Sequence, residues 1–212
     1  MTRAYSEYYL DETMSNMGSM LDYAVNSCGE DLTLFYARFL TSGIAEQIVR
    51  GNPRYLCGLS GTELAMKAAS LTGEPLPENE TFVDMGSPEY WAGWTLAYIQ
   101  WYLNVGFDTL ETIGAGIREI YSRYQTLHEA DLSKAADFAL YKLNAFRMKH
   151  NPVKEARKTM RLTQRQLAEL SGVSLRSIRA YEQGQLDTAG AGAGSLRDLA
   201  GVLGCRIERL LI

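Results

Sequence analysis

Between Arg161 and Gly184 the chain reads RLTQRQLAELSGVSLRSIRAYEQG, two short amphipathic stretches that meet at one glycine, and few folds can use such a run. Thr163 stands three residues before Gln166, the spacing of a capping box, in which a hydroxyl and an amide satisfy the free backbone N–H groups of a helix start. Leu167, Ala168 and Leu170 give this first helix a buried stripe, Gly172 permits the sharp bend, and Val173 plugs the corner. Ser174 is a good cap for a second helix that buries Ile178 and Tyr181 and stops at Gly184. Leu175, Arg176, Ser177, Arg179, Ala180 and Gln183 are left off the buried face. A helix steadied in this way by a capped neighbour can lie in the major groove of DNA.

The run resembles the Cro/CI-type, Xre-like helix-turn-helix domains over roughly Asn151 to Ile212. Thr163-Gln164, Leu167-Ala168, Gly172-Val173-Ser174, Ile178, and Glu182 with Gly184 all fall at that family's spacing. The resemblance implies a five-helix, lambda-repressor-like domain with helices at Val153 to Met160, Thr163 to Ser171, Ser174 to Gln183, Ser195 to Leu203 and Ile207 to Leu211. It implies that the third helix reads bases, that Gln164 holds a phosphate, and that Arg157 and Glu182 form an internal ion pair. Such domains act as homodimers on palindromic operators with half-sites about 34 Å apart. The expected DNA-contacting set is Gln164, Arg165, Ser174, Leu175, Arg176, Ser177, Arg179 and Gln183. Arg176 and Arg179 share one helical face, where an Arg fork matches the O6 and N7 acceptors of guanine, and Leu175 is suited to a thymine methyl.

The chain departs from the family pattern at QLDTAGAGAG, between Gly184 and Ser195, where many relatives have a shorter connection containing Pro. Read as a phosphate loop, its glycines lack both a preceding strand and a following Lys-Ser/Thr. The expectation is a flexible linker. Ser195 with Asp198 would then form a further capping box, whose amides could hold a DNA phosphate.

Charge is divided between the two parts of the chain. From Arg147 to Ile212 there are 12 Lys and Arg against 6 Asp and Glu, and before Arg147 there are 9 against 19, so the parts stand at +6 and −10. A polyanion is attracted to the former and repelled by the latter, although the two parts could also attract one another. Three cysteines, Cys28, Cys57 and Cys205, without CxxC spacing, argue against a disulfide framework and against zinc. With only His128 and His150, a His-rich metal site or a nucleophile triad has little material; no metal and no cofactor is expected. No apolar run approaches the ~20 residues of a membrane span, and the first residues lack a signal-peptide core, so the expected location is cytoplasmic, at the nucleoid.

The sequence divides into a helical domain at 1–149 and a helix-turn-helix domain at 150–212, an all-α chain. Met14, Met17, Leu21, Ala24 and Cys28 form one stripe, and Leu32, Phe35, Tyr36, Phe39 and Leu40 begin another. A capping box at Ser60 and Glu63 opens a third helix, and an acidic loop from Glu74 to Gly86 follows. Ser87-Pro88-Glu89 starts an aromatic helix to Leu103, and helices are predicted over Thr109 to Tyr124 and Asp131 to Met148. Trp91, Trp94, Tyr98, Trp101 and Tyr102 on the aromatic helix suit either core or a partner surface, and Glu74, Glu78, Glu80, Asp84 and Glu89 suit a basic partner.

Together these features imply a sequence-specific regulator and no enzyme. The layout, an Xre-like head with an appended helical domain, resembles that of antitoxins. On that resemblance the acidic domain binds a toxin and the basic domain represses the shared operon. The competing reading is a one-component sensor that encloses a small ligand between aromatic helices; a third is an enzyme with a DNA-binding tail.

Overall fold

In the computed structural model the described residues are 3–79, 82–186 and 188–211, and they form helices and connections without a strand. In order the helices are α1 (Leu10–Asp22), α2 (Leu32–Thr41), α3 (Ile44–Val49), α4 (Pro53–Leu56), α5 (Gly61–Leu71), α6 (Pro88–Leu103), α7 (Phe107–Thr112), α8 (Ile117–Tyr121), α9 (Tyr124–Leu127), α10 (Ser133–Lys149), α11 (Pro152–Thr159), α12 (Gln164–Ser171), α13 (Leu175–Glu182) and α14 (Ala193–Leu203). Two compact units result, Met1–Lys142 and Leu143–Ile212, so the last turns of α10 count with the C-terminal unit.

In the N-terminal unit α1 is central, packed against α5 on one side and antiparallel to α6 on another. Its stripe of Met14, Met17, Met20 and Leu21 is buried. Glycine sets the separation: a Cβ on Gly93 would lie 2.3 Å from the Met17 carbonyl oxygen, and one on Gly61 would lie 2.6 Å from that of Asn16. The first stripe does not run on helically to Cys28, because α1 widens into a π-helical turn over Tyr23–Ser27 that leaves Cys28 half-buried beyond it. Ser60 and Glu63 form the capping box of α5, and Ser87 caps α6 ahead of Pro88, both as their spacing predicts.

Other expectations need correction. The segment predicted as one helix from Thr109 to Tyr124 is broken into α7, α8 and α9. Gly114 takes a left-handed turn at φ 70°, and the Glu111 carboxylate accepts from the Ile117 amide at 2.7 Å, serving as an outside cap for α8. The connection between α2 and α5 holds α3 and α4, too short to show a periodicity. The acidic loop is pinned: Leu76 is buried, the Tyr23 hydroxyl donates to the Pro77 carbonyl, and the Asn79 amide donates to the Ser27 carbonyl. Glu80 lies outside the described residues.

Trp91 and Trp101 belong to the core of this unit. Trp91 meets Tyr124 edge to face, and the Trp101 indole N–H donates to the Tyr5 carbonyl at 2.9 Å. Large rings supply burial, and their polar tip needs a partner once water is gone. Of the two alternatives, core or partner surface, these two side chains are packed as core. Trp94, Tyr98 and Tyr102 remain half-buried; Tyr98 and Tyr102 are stacked, and the Arg3 guanidinium lies over Tyr102.

In the C-terminal unit Val153, Leu167, Val173, Ile178, Tyr181, Leu199, Leu203 and Leu210 make one core. Leu170, expected in the stripe of α12, is 62% exposed, because Leu167 and Ser171 already fill the inward positions of this two-turn helix. Ser195 and Asp198 do not cap: α14 starts two residues earlier, at Ala193, and its N-cap is Gly192, which has no side chain to offer. Nor is the glycine-rich connection wholly free. It contains a 3-10 turn at Thr188–Gly190, and the buried Thr188 hydroxyl donates to the Leu210 carbonyl at 2.7 Å. The fifth helix is a single 3-10 turn, Ile207–Leu210.

Candidate nucleic-acid interface

The geometry begins with α12. The Gln166 amide donates to the Thr163 hydroxyl at 3.2 Å and the Gln166 side chain accepts from the Thr163 amide at 2.9 Å, which closes the capping box. Gly172 then takes φ 69°, a left-handed conformation that a Cβ disfavours, and its amide donates to the Ala168 carbonyl. The Ser171 hydroxyl accepts from the Val173 amide and donates to the Leu167 carbonyl, so the bend is hydrogen-bonded from both sides. Ser174 caps α13 by accepting from the Ser177 amide at 3.0 Å, and the two hydroxyls lie 2.8 Å apart.

The far end of α13 is held by charge. Arg157 on α11 donates through Nε and Nη2 to the two carboxylate oxygens of Glu182, at 2.6 and 2.8 Å, while its Nη1 donates to the Leu162 carbonyl. Burial alone would push the Glu182 carboxyl up, but hydrogen bonds from Arg157 and Gln164 and the charges of Arg157 and Lys154 outweigh it and hold the group below the usual carboxylate range. The hydrogen bond from Arg157 to Glu182 in turn raises the guanidinium above its ordinary value. Gln164, assigned to a phosphate, donates its amide to Glu182 at 2.8 Å. An amide carries two N–H groups, so one remains for another acceptor. Asn151, which no motif singled out, caps α11 and donates to the Tyr181 carbonyl at 2.6 Å, tying the start of the unit to the end of α13. Its only signal in the sequence is Asn before Pro, a common helix start.

With Ile178, Tyr181 and Glu182 turned inward, α13 presents Arg176, Arg179 and Gln183 as exposed side chains, with Leu175 and Ser177 half-buried beside them. Neither arginine has an acid partner among the described residues. Arg165 is exposed at the start of α12. A groove of about 510 Å³ runs along this face, lined by Leu175, Arg176, Ser177, Arg179, Ala180 and Gln183 and closed by two residues outside the predicted set, Gln185 and Leu186. They are brought there by Gly184, at φ 67°, which turns the chain so that both following amides donate to the Ala180 carbonyl.

Residues 153–210 match the helix-turn-helix family. This is a DNA-binding domain of the kind that transcriptional regulators carry. The match covers the capped α12, the Gly172 bend and α13, and ends with the last 3-10 turn. No curated protein and no solved structure matches the chain. Among the described residues no group of three or more His, Cys, Asp or Glu is placed to hold a metal, and no helix is long and apolar enough to cross a membrane. Cys28, Cys57 and Cys205 are free thiols.

Proposed function

We propose that the protein is a sequence-specific regulator that binds a palindromic operator as a homodimer through α13. One observation carries this reading. Arg176 and Arg179 stand exposed, with no acid partner among the described residues, on a helix whose opposite face is fixed by Ile178, Tyr181 and the Arg157–Glu182 pair. Guanidinium groups held on so rigid a support can discriminate base edges, because the reading geometry is set before DNA arrives. Selection from randomised duplexes tests it: the wild-type chain should enrich a palindrome with half-sites about 34 Å apart. Absence of any enriched sequence at low salt would reject the proposal.

The N-terminal unit, in this reading, neutralises a basic toxin protein, and the regulator represses the operon that encodes both. The support is electrostatic. The unit carries 9 Lys and Arg against 19 Asp and Glu, and its two described grooves are walled by carboxylates, Asp22, Asp84 and Glu89 in one and Asp11 and Glu12 in the other. Asp22 is fully buried, yet among the described residues its donors are neutral, the Ser87 hydroxyl at 2.6 Å, the Asn26 amide at 2.7 Å and the Asp84 amide at 3.0 Å. Walls of this kind suit a cationic protein better than the small apolar ligand that a one-component sensor would enclose. The test is expression of the neighbouring gene's product, alone and with this chain. Growth arrest relieved through a stoichiometric complex is expected; a harmless neighbour, or relief without a complex, excludes the antitoxin role.

A further inference from the structure

We infer that Leu186 is a base-reading residue, and that with Leu175 it makes the groove along α13 a receptor for the 5-methyl group of thymine. The inference rests on the reading of α13 as the DNA-binding helix and adds to it a contact from outside that helix. Leu186 is 50% exposed, which by itself is ordinary for a leucine; its placement is what matters. It is not at large on a loop: its amide donates to the Ala180 carbonyl at 3.2 Å, beside that of Gln185 at 2.9 Å, so the turn after Gly184 folds it back over the end of α13. The lining of the groove thereby combines the apolar side chains of Leu175, Ala180 and Leu186 with Arg176, Arg179 and Gln183.

The occupant follows from that combination. Among the described residues the lining carries two cations and no carboxylate, which disfavours a basic partner and attracts a polyanion. On the major-groove edges of duplex DNA, the apolar group available to these apolar side chains is the thymine methyl; the other features are hydrogen-bond donors and acceptors. Leu175 and Leu186 lie at opposite ends of α13, so the second contact extends the apolar reading beyond the leading end of the helix.

The experiment uses the full-length chain and its selected operator, with each thymine replaced in turn by deoxyuridine, which removes only the methyl. Wild-type protein should lose about 3- to 10-fold in affinity at one thymine or more, the scale of one buried methyl group. In Leu186→Ala the loss should vanish at one of those positions and persist at any that faces Leu175, and Leu186→Met should restore it. Unchanged thermal unfolding of Leu186→Ala controls for folding, since the side chain is half in solvent. An operator bound selectively but without sensitivity to deoxyuridine would overturn the inference and leave the wider reading intact. Equal penalties in wild type and Leu186→Ala would overturn it too, leaving Leu175 as the reader. Failure to select any operator would remove both.

Discussion

Arg157 and Glu182 are nearly out of water, with side chains 12% and 3% exposed, and a pair so buried does more to fix orientation than to add stability. The orientation at stake is that of α13, since Glu182 is its last residue and Gln164 joins the same carboxylate from α12. A carboxyl held below its unfolded value of about 4.3 stabilises the fold above that pH, and the contribution is lost as pH falls through the lower folded-state value. The acid limb of stability, followed by thermal unfolding across pH 2 to 6 or so, should therefore flatten in Glu182→Gln, which should also unfold at a lower temperature at neutral pH. At the reading surface, Arg176→Ala or Arg179→Ala should cost about 1 to 3 kcal/mol on the selected operator and relax preference at one position. Competition binding against random duplex checks this; an equal loss on both DNAs would reduce the side chain to a phosphate contact.

Among the elements, those whose start and stop were legible in the sequence are the ones with side-chain caps. Thr163, Ser174, Ser60 and Ser87 each announce a helix by a hydroxyl at the right distance, and the structure begins a helix after each. Where a helix start has no hydroxyl cap of its own, helical periodicity carries no such sign. The break of the Thr109 to Tyr124 segment depends on a carboxylate, Glu111, reaching forward to Ile117, and α14 begins at Ala193, after Gly192, without a side-chain cap. Leu186 escaped notice because its place beside α13 is set by a turn, which periodicity does not describe. The close approach of α6 to α1 was equally hidden, since a glycine within an aromatic helix reads as a weak point. It permits contact instead. Gly93→Ala should destabilise the N-terminal unit by about 1 to 3 kcal/mol, the scale of an overpacked core, because the new methyl meets backbone that cannot swing aside. Gly73→Ala, at φ 88° but facing open space, should show only the strain of the left-handed conformation. Denaturant unfolding of the two variants separates crowding from strain.

For the molecule as a whole, the division of charge sets how the chain meets DNA. The C-terminal part bears 12 cationic against 6 anionic residues, and the N-terminal part 9 against 19. Affinity for operator should fall steeply with salt, and removing one phosphate-binding cation should lower the log–log slope by about 0.9. Titrations of wild type and Arg165→Ala at several salt concentrations test this; an unchanged slope would place Arg165 away from the backbone. A second consequence lies in the glycine contacts of the N-terminal unit. Helices that touch main chain to main chain at Gly93 and Gly61 are meshed like gear teeth. At those two points backbone lies close to backbone, which resists a shift by a fraction of a turn. Any signal that such a body transmits has to come from moving it whole or from melting it, never from sliding its parts.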